Sequence, residues 1–361
     1  MFDIIFFCDY FKPGFKAGGP VSSISNLLNA IENKFSIAVV TRNYDFDKTK
    51  YSSKDKNFKR NYTVLYCNNI LHIFFHIIKP ALLKTNKVYL NSFFSLKYSF
   101  LPLLFFSFLL RKNIFISIRG ELADSALKKS YKKRIYMKIW KLILPYKSYT
   151  FFATSDHEVN DINNFFSNVK IAQIPNIGSP SKYEKVDDSL AINFEKIRIC
   201  FISRIHPVKN LDYCLKILKS VDRNYVLDVY GPIEDKDYFD NCMKILPFNY
   251  KNEVVPELIP KTLREYDLFF LPTKGENFGH IIYESIMSYV PCLISDQTPW
   301  SNVNKLKVGA SYNLEDSQNF VDFINNYPKN LDLSNTNFHL AQGVFNSDDA
   351  IDSYITTFED N

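Results

Sequence analysis

Residues 271–300 read LPTKGENFGHIIYESIMSYVPCLISDQTPW, and this stretch decides the fold. A short apolar run ends at Leu271 and a glycine-containing loop follows. A helix then starts at about Gly279, with Ile281, Ile282, Ser285 and Ile286 along it. After it, Cys292–Ser295 reads as the next strand. Strand, loop, helix and strand in this order are the unit of a parallel α/β sheet. Glu276 lies in the loop and Glu284 in the helix, where it shares one face with His280, four positions earlier. The amides of Asn277, Phe278 and Gly279 form the positive end of the helix. An anion there, with one carboxylate before it and one a turn beyond, suits a nucleotide diphosphate whose ribose meets Glu284. A capped surface helix with its acids in water fits the same residues.

Outward from this stretch, short continuous apolar runs alternate with helical patterns. Ile4–Cys8, Ile37–Thr41, Thr63–Tyr66, Val88–Leu90, Ile114–Ile118, Tyr149–Ala153 and Ile171–Ile174 read as strands covered on both faces. Val21–Ile31, Leu96–Leu110 and Lys129–Leu144 read as helices between them. The stretch IPNIGSPSKYEKVDDS from Ile174 reads as a linker. The alternation restarts with Ile197–Ser203, Tyr225–Tyr230, Leu268–Leu271 and Cys292–Ser295. The expected class is α/β, two doubly wound Rossmann-like domains facing across a cleft. The domains are 1–178 and 179–345, and a C-terminal helix within 346–361 is expected to pack back on the first.

The chain has 361 residues, enough for two cores. Its 44 Lys and Arg against 38 Asp and Glu conceal an asymmetry. Residues 1–180 hold 26 and 11 of these, a charge of +15, and the rest carry −9. The first half is thus suited to anions, an anionic membrane or nucleic acid. No nucleic-acid recognition motif accompanies the charge, so nucleic acid is not expected as a partner. Six scattered cysteines suggest neither disulfides nor zinc, which implies a reducing cytosol. The opening MFDIIFFCDYF lacks the basic start of a signal peptide. Ser99–Leu110, the longest apolar stretch at ~12 residues, is too short to span a bilayer.

No GxxxxGK[ST] loop, GxGxxG fingerprint or HExxH metal motif is present. Asp45-Phe46-Asp47 has the form of a metal-binding DxD, but it stands apart from its strand and reads better as a solvated acidic turn. PGFKAGGP at 13–20 leads into a helix; Gly18 and Gly19 would let the backbone approach an anion, or simply make a turn. In FISRIHPVKNLDYCL, residues 201–215, Arg204 and Lys209 flank a strand-to-helix loop where two cations can neutralise a diphosphate. Exposed cations are often merely solvated.

Together these motifs resemble glycosyltransferase family 4, retaining enzymes of GT-B architecture. The resemblance rests on the glutamate–seven residues–glutamate pattern with Phe278-Gly279 after its first acid. It extends to the Arg204…Lys209 loop, to Tyr230-Gly231-Pro232 and to the Gly18-Gly19 loop. It implies an acceptor-binding first domain and a donor-binding second one. Arg204 and Lys209 would hold the diphosphate, Glu284 the ribose, and the Phe278 and Gly279 amides the distal phosphate. Asn277 and His280 flank that end, and backbone around Pro232 and Asn252–Pro256 would meet the base. Glu276 would face the sugar near its reacting carbon. Where many members carry a histidine after the fifth strand, this chain has Ile118-Arg119-Gly120-Glu121-Leu122, which makes Arg119 and Glu121 candidates for the catalytic group. This form resembles a subset in bacterial surface-polysaccharide (O-antigen or capsule) assembly.

The implied reaction is transfer of a hexosyl unit, with retention, from a UDP- or GDP-sugar to a lipid-linked or saccharide acceptor. Fixed cations and helix amides would replace a metal, so none is expected. An epimerase of the same architecture and an inactive sugar-nucleotide-binding protein are the alternatives. The expected place is the cytoplasmic face of the inner membrane, held peripherally by the Lys128–Lys147 segment. There Tyr131, Ile135, Ile139, Leu142 and Ile143 form an apolar stripe that either packs on the sheet or lies in lipid. Trp140 is expected to reach the membrane.

Overall fold

The computed structural model describes residues 2–57, 60–77, 84–109, 112–122, 127, 131–179, 196–329, 331–332, 334–344 and 347–360. Leu110, Lys128, Lys129 and linker residues 180–189 lie outside these, as do the expected boundary residues 345 and 346. The chain divides into two compact units, Met1–Ile177 with Ser347–Asn361, and Gly178–Asn346.

In the first unit the elements run β1 (Ile4–Phe7), α1 (Gly19–Ile31), β2 (Ile37–Arg42), β3 (Thr63–Cys67), α2 (Ile70–Ile77), β4 (Lys87–Leu90), a helical stretch α3 (96–109) with π-type turns, β5 (Asn113–Ser117), α4 (Tyr131–Ile143), β6 (Thr150–Ala153), α5 (Asp156–Phe165) and β7 (Lys170–Gln173). All seven strands are parallel, in the order β3-β2-β1-β4-β5-β6-β7. Strand side chains alternate between faces, which explains the two apolar layers. Ile5 and Phe7 join Val88, Leu90, Ile116 and Phe151 on one face; Ile4 and Phe6 join Tyr89, Phe115 and Phe152 on the other.

The second unit runs β8 (Ile197–Ile202), α6 (Leu211–Lys219), β9 (Tyr225–Tyr230), α7 (Lys236–Ile245), β10 (Asn249–Tyr250), α8 (Ile259–Leu263), β11 (Leu268–Leu271), α9 (His280–Met287), β12 (Cys292–Ser295), β13 (Gly309–Tyr312), α10 (Ser317–Asn325) and α11 (Asn335–Val344). Its sheet is again parallel, ordered β10-β9-β8-β11-β12-β13. β10 and β13 leave no signal in the sequence, because two residues, or four with Gly309 and Ser311 among them, make no apolar run.

The last helix, α12 (Asp348–Glu359), belongs to the first unit. Tyr354 stacks on Phe152 with centroids 5.2 Å apart, and Phe358 stands edge-on to Phe115 at 5.2 Å. All six cysteines are free and buried.

α4 turns its apolar stripe outward, one of the two orientations expected, but turns Trp140, expected at the membrane, inward. Trp140 is 1% exposed and packs among Phe93, Tyr149, Phe151 and Phe166. Met137 and Leu144 are buried beside it, whereas Tyr131 and Leu142 are 78% and 86% exposed, with Ile135, Ile139 and Ile143 also outside. The physical reason is area. Trp140 removes more apolar surface from water against an aromatic pocket than any aliphatic member of the stripe could.

Candidate functional site

In the second sheet the chain starts at β8, builds outward through β9 and β10, and returns on the other side of β8 as β11. The carboxyl edge at such a reversal forms the crevice where α/β sheets bind ligands. The loops leaving β8 and β11 carry Arg204, Lys209 and Glu276. They are sewn together: Lys274 donates its amide to the Val208 carbonyl at 2.8 Å, and Asn210 donates its side-chain amide to the Pro272 carbonyl at 2.9 Å. Asn210 has φ 64°, a left-handed turn that asparagine tolerates at the start of α6. The Glu276 amide donates to the Gln297 carbonyl at 3.1 Å, which ties in the loop after β12. Lys209 donates directly to the Glu276 carboxylate, and both side chains are largely buried. Arg204 pairs with Glu234 at 2.6 Å. Each cation expected at a diphosphate is therefore held by a carboxylate.

α9 begins after Gly279 at φ 79°, where a Cβ would lie 3.0 Å from Ile282 and 3.3 Å from the Trp300 indole nitrogen. That indole donates to the Phe278 carbonyl, and the Phe278 ring lies 4.7 Å from His280 and 5.1 Å from Trp300. The Phe278 carbonyl is thus pinned, and the Phe278 and Gly279 amides donate to no acceptor among the described residues. One turn on, Glu284 is half-buried, and its carboxylate takes no hydrogen bond and makes no ion pair among the described residues. Burial alone pushes its pKa from 4.5 up to about 8. An acid desolvated without a donor is an incomplete arrangement. Pro232 follows Gly231, whose φ of 132° and close approach to the Ser203 carbonyl leave no room for a side chain.

The first unit gathers a second polar set at its sheet edge. Arg119, at φ 48°, donates from Nε to Asn91 at 3.0 Å, from Nη1 to Asn176, and from Nη2 to the Tyr89 hydroxyl at 3.4 Å. It thereby joins the ends of β4, β5 and β7. Glu121 accepts from the Ser92 hydroxyl at 2.8 Å and from the amides of Phe93 at 2.6 Å and Phe94 at 3.0 Å. Burial raises its pKa against the pull of those three donors. Both side chains hold the loop after β4 in place.

Gly18, at φ 72°, precedes α1, and Gly19 and Pro20 open the helix. The preceding loop rests on the turn expected to be solvated. Asp45 is in fact buried, and its carboxylate accepts from the amides of Phe15 at 3.0 Å and Lys16 at 3.3 Å. Asp47 pairs with Lys16 at 3.0 Å. The acidic turn thus braces the glycine loop, a tertiary role that a local pattern does not encode. Among the described residues no three His, Cys, Asp or Glu side chains gather as a metal ligand set. Asn91, Asn176, Trp300, Asp9 and Arg42 escaped the motif reading. Several of them could have been found as polar residues at or just beyond strand ends.

Two Rossmann-like units with these sheets make the GT-B fold, and comparisons agree. Residues 182–335, which fall within the span of the second unit, match the family model described as glycosyl transferases group 1. An uncharacterised 41.2 kDa protein in the cps region of Klebsiella pneumoniae is 24% identical over 241 residues, 64% of this chain. The match spans 66% of that relative's length, just under two thirds. The crystal structure of Anabaena Alr3699/HepE in complex with UDP and glucose superposes over 100% of both chains, with TM-score 0.74 and 14% identity. That of WaaG, a glycosyltransferase involved in lipopolysaccharide biosynthesis, covers 95% of this chain and 93% of its own, with TM-score 0.61 and 12% identity.

Proposed function

We propose that the chain is a retaining, metal-independent glycosyltransferase of family 4 type. It would move a hexosyl unit from a UDP- or GDP-sugar to a lipid-linked or saccharide acceptor in surface-polysaccharide assembly. The observation that carries this reading is the Glu284 carboxylate, half-buried and without a donor one turn beyond two unused amides. Ribose hydroxyls supply the missing donors, and the amides of Phe278 and Gly279 take the distal phosphate. The group 1 domain and the cps-region relative favour the same reaction class and setting.

The diphosphate displaces Glu276 from Lys209 and Glu234 from Arg204. Both cations then stabilise the charge of the leaving group. Glu276, released at that moment, turns to the sugar hydroxyls and the oxocarbenium-like centre. Fixed cations and helix amides do the work that a metal does elsewhere. Arg119 and Glu121 act from the first unit by shaping the loop after β4 that meets the acceptor, and Gly18 and Gly19 give the donor phosphates close backbone contact.

The outward stripe of α4 and the cations Lys132, Lys133, Lys138 and Lys141 suit a peripheral position on the anionic cytoplasmic face. Among the described residues no helix is long and apolar enough to cross a membrane.

Calorimetric titration with UDP and GDP tests the site. NMR of the product formed from a matched nucleotide sugar and a lipid-linked acceptor tests retention. Absence of any nucleotide diphosphate binding at millimolar concentration would sink the reading.

A further inference from the structure

At the carboxyl edge of the first sheet, Arg42 ends β2 and Asp9 lies two residues beyond β1. The Arg42 guanidinium donates from Nη2 to Asp9 Oδ1 and from Nη1 toward the hydroxyls of Tyr10 at 3.4 Å and Tyr44 at 3.3 Å. Its carbon lies 4.7 Å from the Tyr10 ring centroid, 5.7 Å from that of Tyr44 and 5.5 Å from that of Tyr98. Phe46, 44% exposed, extends this aromatic surface beside Tyr10 at 5.8 Å. The pair is not sealed, since the Arg42 and Asp9 side chains remain 23% and 19% exposed. Nor is it complete: Arg42 Nε is buried without a partner, and Asp9 Oδ2 accepts nothing from the described residues.

We propose that Asp9 and Arg42, walled by Tyr10, Tyr44 and Phe46, form a subsite for an uncharged pyranose of the acceptor; this rests on the transferase reading above. The chemistry selects the ligand class. A carboxylate beside a guanidinium offers an acceptor and donors at neighbouring points, which is what adjacent sugar hydroxyls require. Flat aromatic rings cover the C–H face of a pyranose while leaving its hydroxyls to the ion pair. Asp9 already neutralises Arg42, so a phosphate arriving here would meet a carboxylate rather than a free cation. Burial also raises the Tyr10 pKa, which keeps that hydroxyl protonated. The subsite adjoins the reversal between β1 and β4, the place where this sheet architecture takes ligands.

Saturation-transfer NMR on the full chain tests this with the methyl glycosides of glucose, galactose, mannose, rhamnose and N-acetylglucosamine as probes. At least one should receive saturation at its ring protons. Asp9→Asn, Arg42→Lys and Tyr44→Leu should each weaken it about tenfold, the loss of one charge-assisted or stacking contact. Inorganic pyrophosphate should not compete. A thermal melt that keeps the first unit's unfolding transition reports that a variant is folded, since UDP contacts placed on the second unit would not; if Arg42→Lys does not fold, Tyr44→Leu and Phe46→Ser, altered on the open side, decide the matter. A wild-type chain that binds UDP but none of the glycosides overturns the subsite and leaves the transferase reading standing. So does glycoside binding that the folded variants leave unchanged, or that pyrophosphate displaces. Glycoside binding lost in these variants, in a chain that binds no nucleotide diphosphate, supports the subsite and refutes the transferase.

Discussion

Replacing Glu284 with glutamine isolates the group on which the nucleotide reading turns. In the free chain its carboxyl titrates at about 8 because burial disfavours the charged form. At pH 7 it is therefore about 90% protonated. Ribose hydroxyls donating to the carboxylate favour the charged form and return the pKa toward its ordinary value near 4.5. Binding must then release about 0.9 proton per nucleotide at pH 7 and about 0.1 at pH 9. Affinity should rise on the order of 50-fold between pH 6 and pH 8 and then level off. UDP calorimetry in buffers of different ionisation enthalpy reads this release directly. The Glu284→Gln chain carries the nucleotide's own titration as a control; it should show no further release and a Kd about 10- to 150-fold higher at pH 8. Stability has its own sign. The folded pKa lies above the unfolded one, so the contribution is full below about 4.5 and is lost as pH rises through about 8, an upper bound of about 5 kcal/mol. The free Glu284→Gln chain should lose that part of the pH dependence in thermal melts. UDP binding of equal strength in both chains, with equal proton release at every pH, would refute the assignment of Glu284 to the ribose.

Lys209→Met should lower kcat/KM by roughly 10- to 150-fold, the worth of one charge-assisted contact in the transition state; unchanged turnover in steady-state assays removes Lys209 from the diphosphate. Transfer should persist in excess EDTA, whereas an absolute requirement for Mg²⁺ or Mn²⁺ would contradict stabilisation by fixed cations. Co-sedimentation should require anionic liposomes and weaken with salt. It should fall when Lys132, Lys133, Lys138 and Lys141 become Glu, at ~1 kcal/mol for each cation near the surface. Equal recovery with neutral vesicles rejects the electrostatic part. Trp140→Ala should cost about 3–5 kcal/mol in denaturant titration, while Leu142→Ala, on the same helix, stays within about 0.5 kcal/mol.

Most of both sheets was legible because parallel strands buried on both faces appear as short apolar runs such as IIFF at 4–7 and LFFL at 268–271. The loops bearing Lys209 and Glu276 were legible for the same reason, since strand ends locate the carboxyl edge. What escaped was information that exists only between distant segments. Asp45 bonds amides about 30 positions earlier in the chain, and nothing around it announces that role. Glu121, a candidate for the catalytic group, accepts from Ser92, Phe93 and Phe94, 27 to 29 positions earlier, and nothing beside it in the sequence marks those partners. In α4 the five-residue stripe outnumbers the inward face, yet Met137, Trp140 and Leu144 are the residues buried. A hydrophobic pattern counts residues, while folding weighs area.

Because α12 supplies Tyr354 and Phe358 to the layer of Ile4, Phe6, Tyr89, Phe115 and Phe152, the first unit is discontinuous in sequence. Its opening 177 residues leave the ribosome with one wall of their core missing, and that wall is translated only after the whole second unit. At ordinary elongation rates the delay is roughly 10–30 s. During it the second unit has everything it needs to fold, while the first presents an aromatic surface to solvent. The order of completion is thereby the reverse of the order of synthesis. The first half of this chain should be the part that engages chaperones and the part that aggregates when elongation stalls before residue 348.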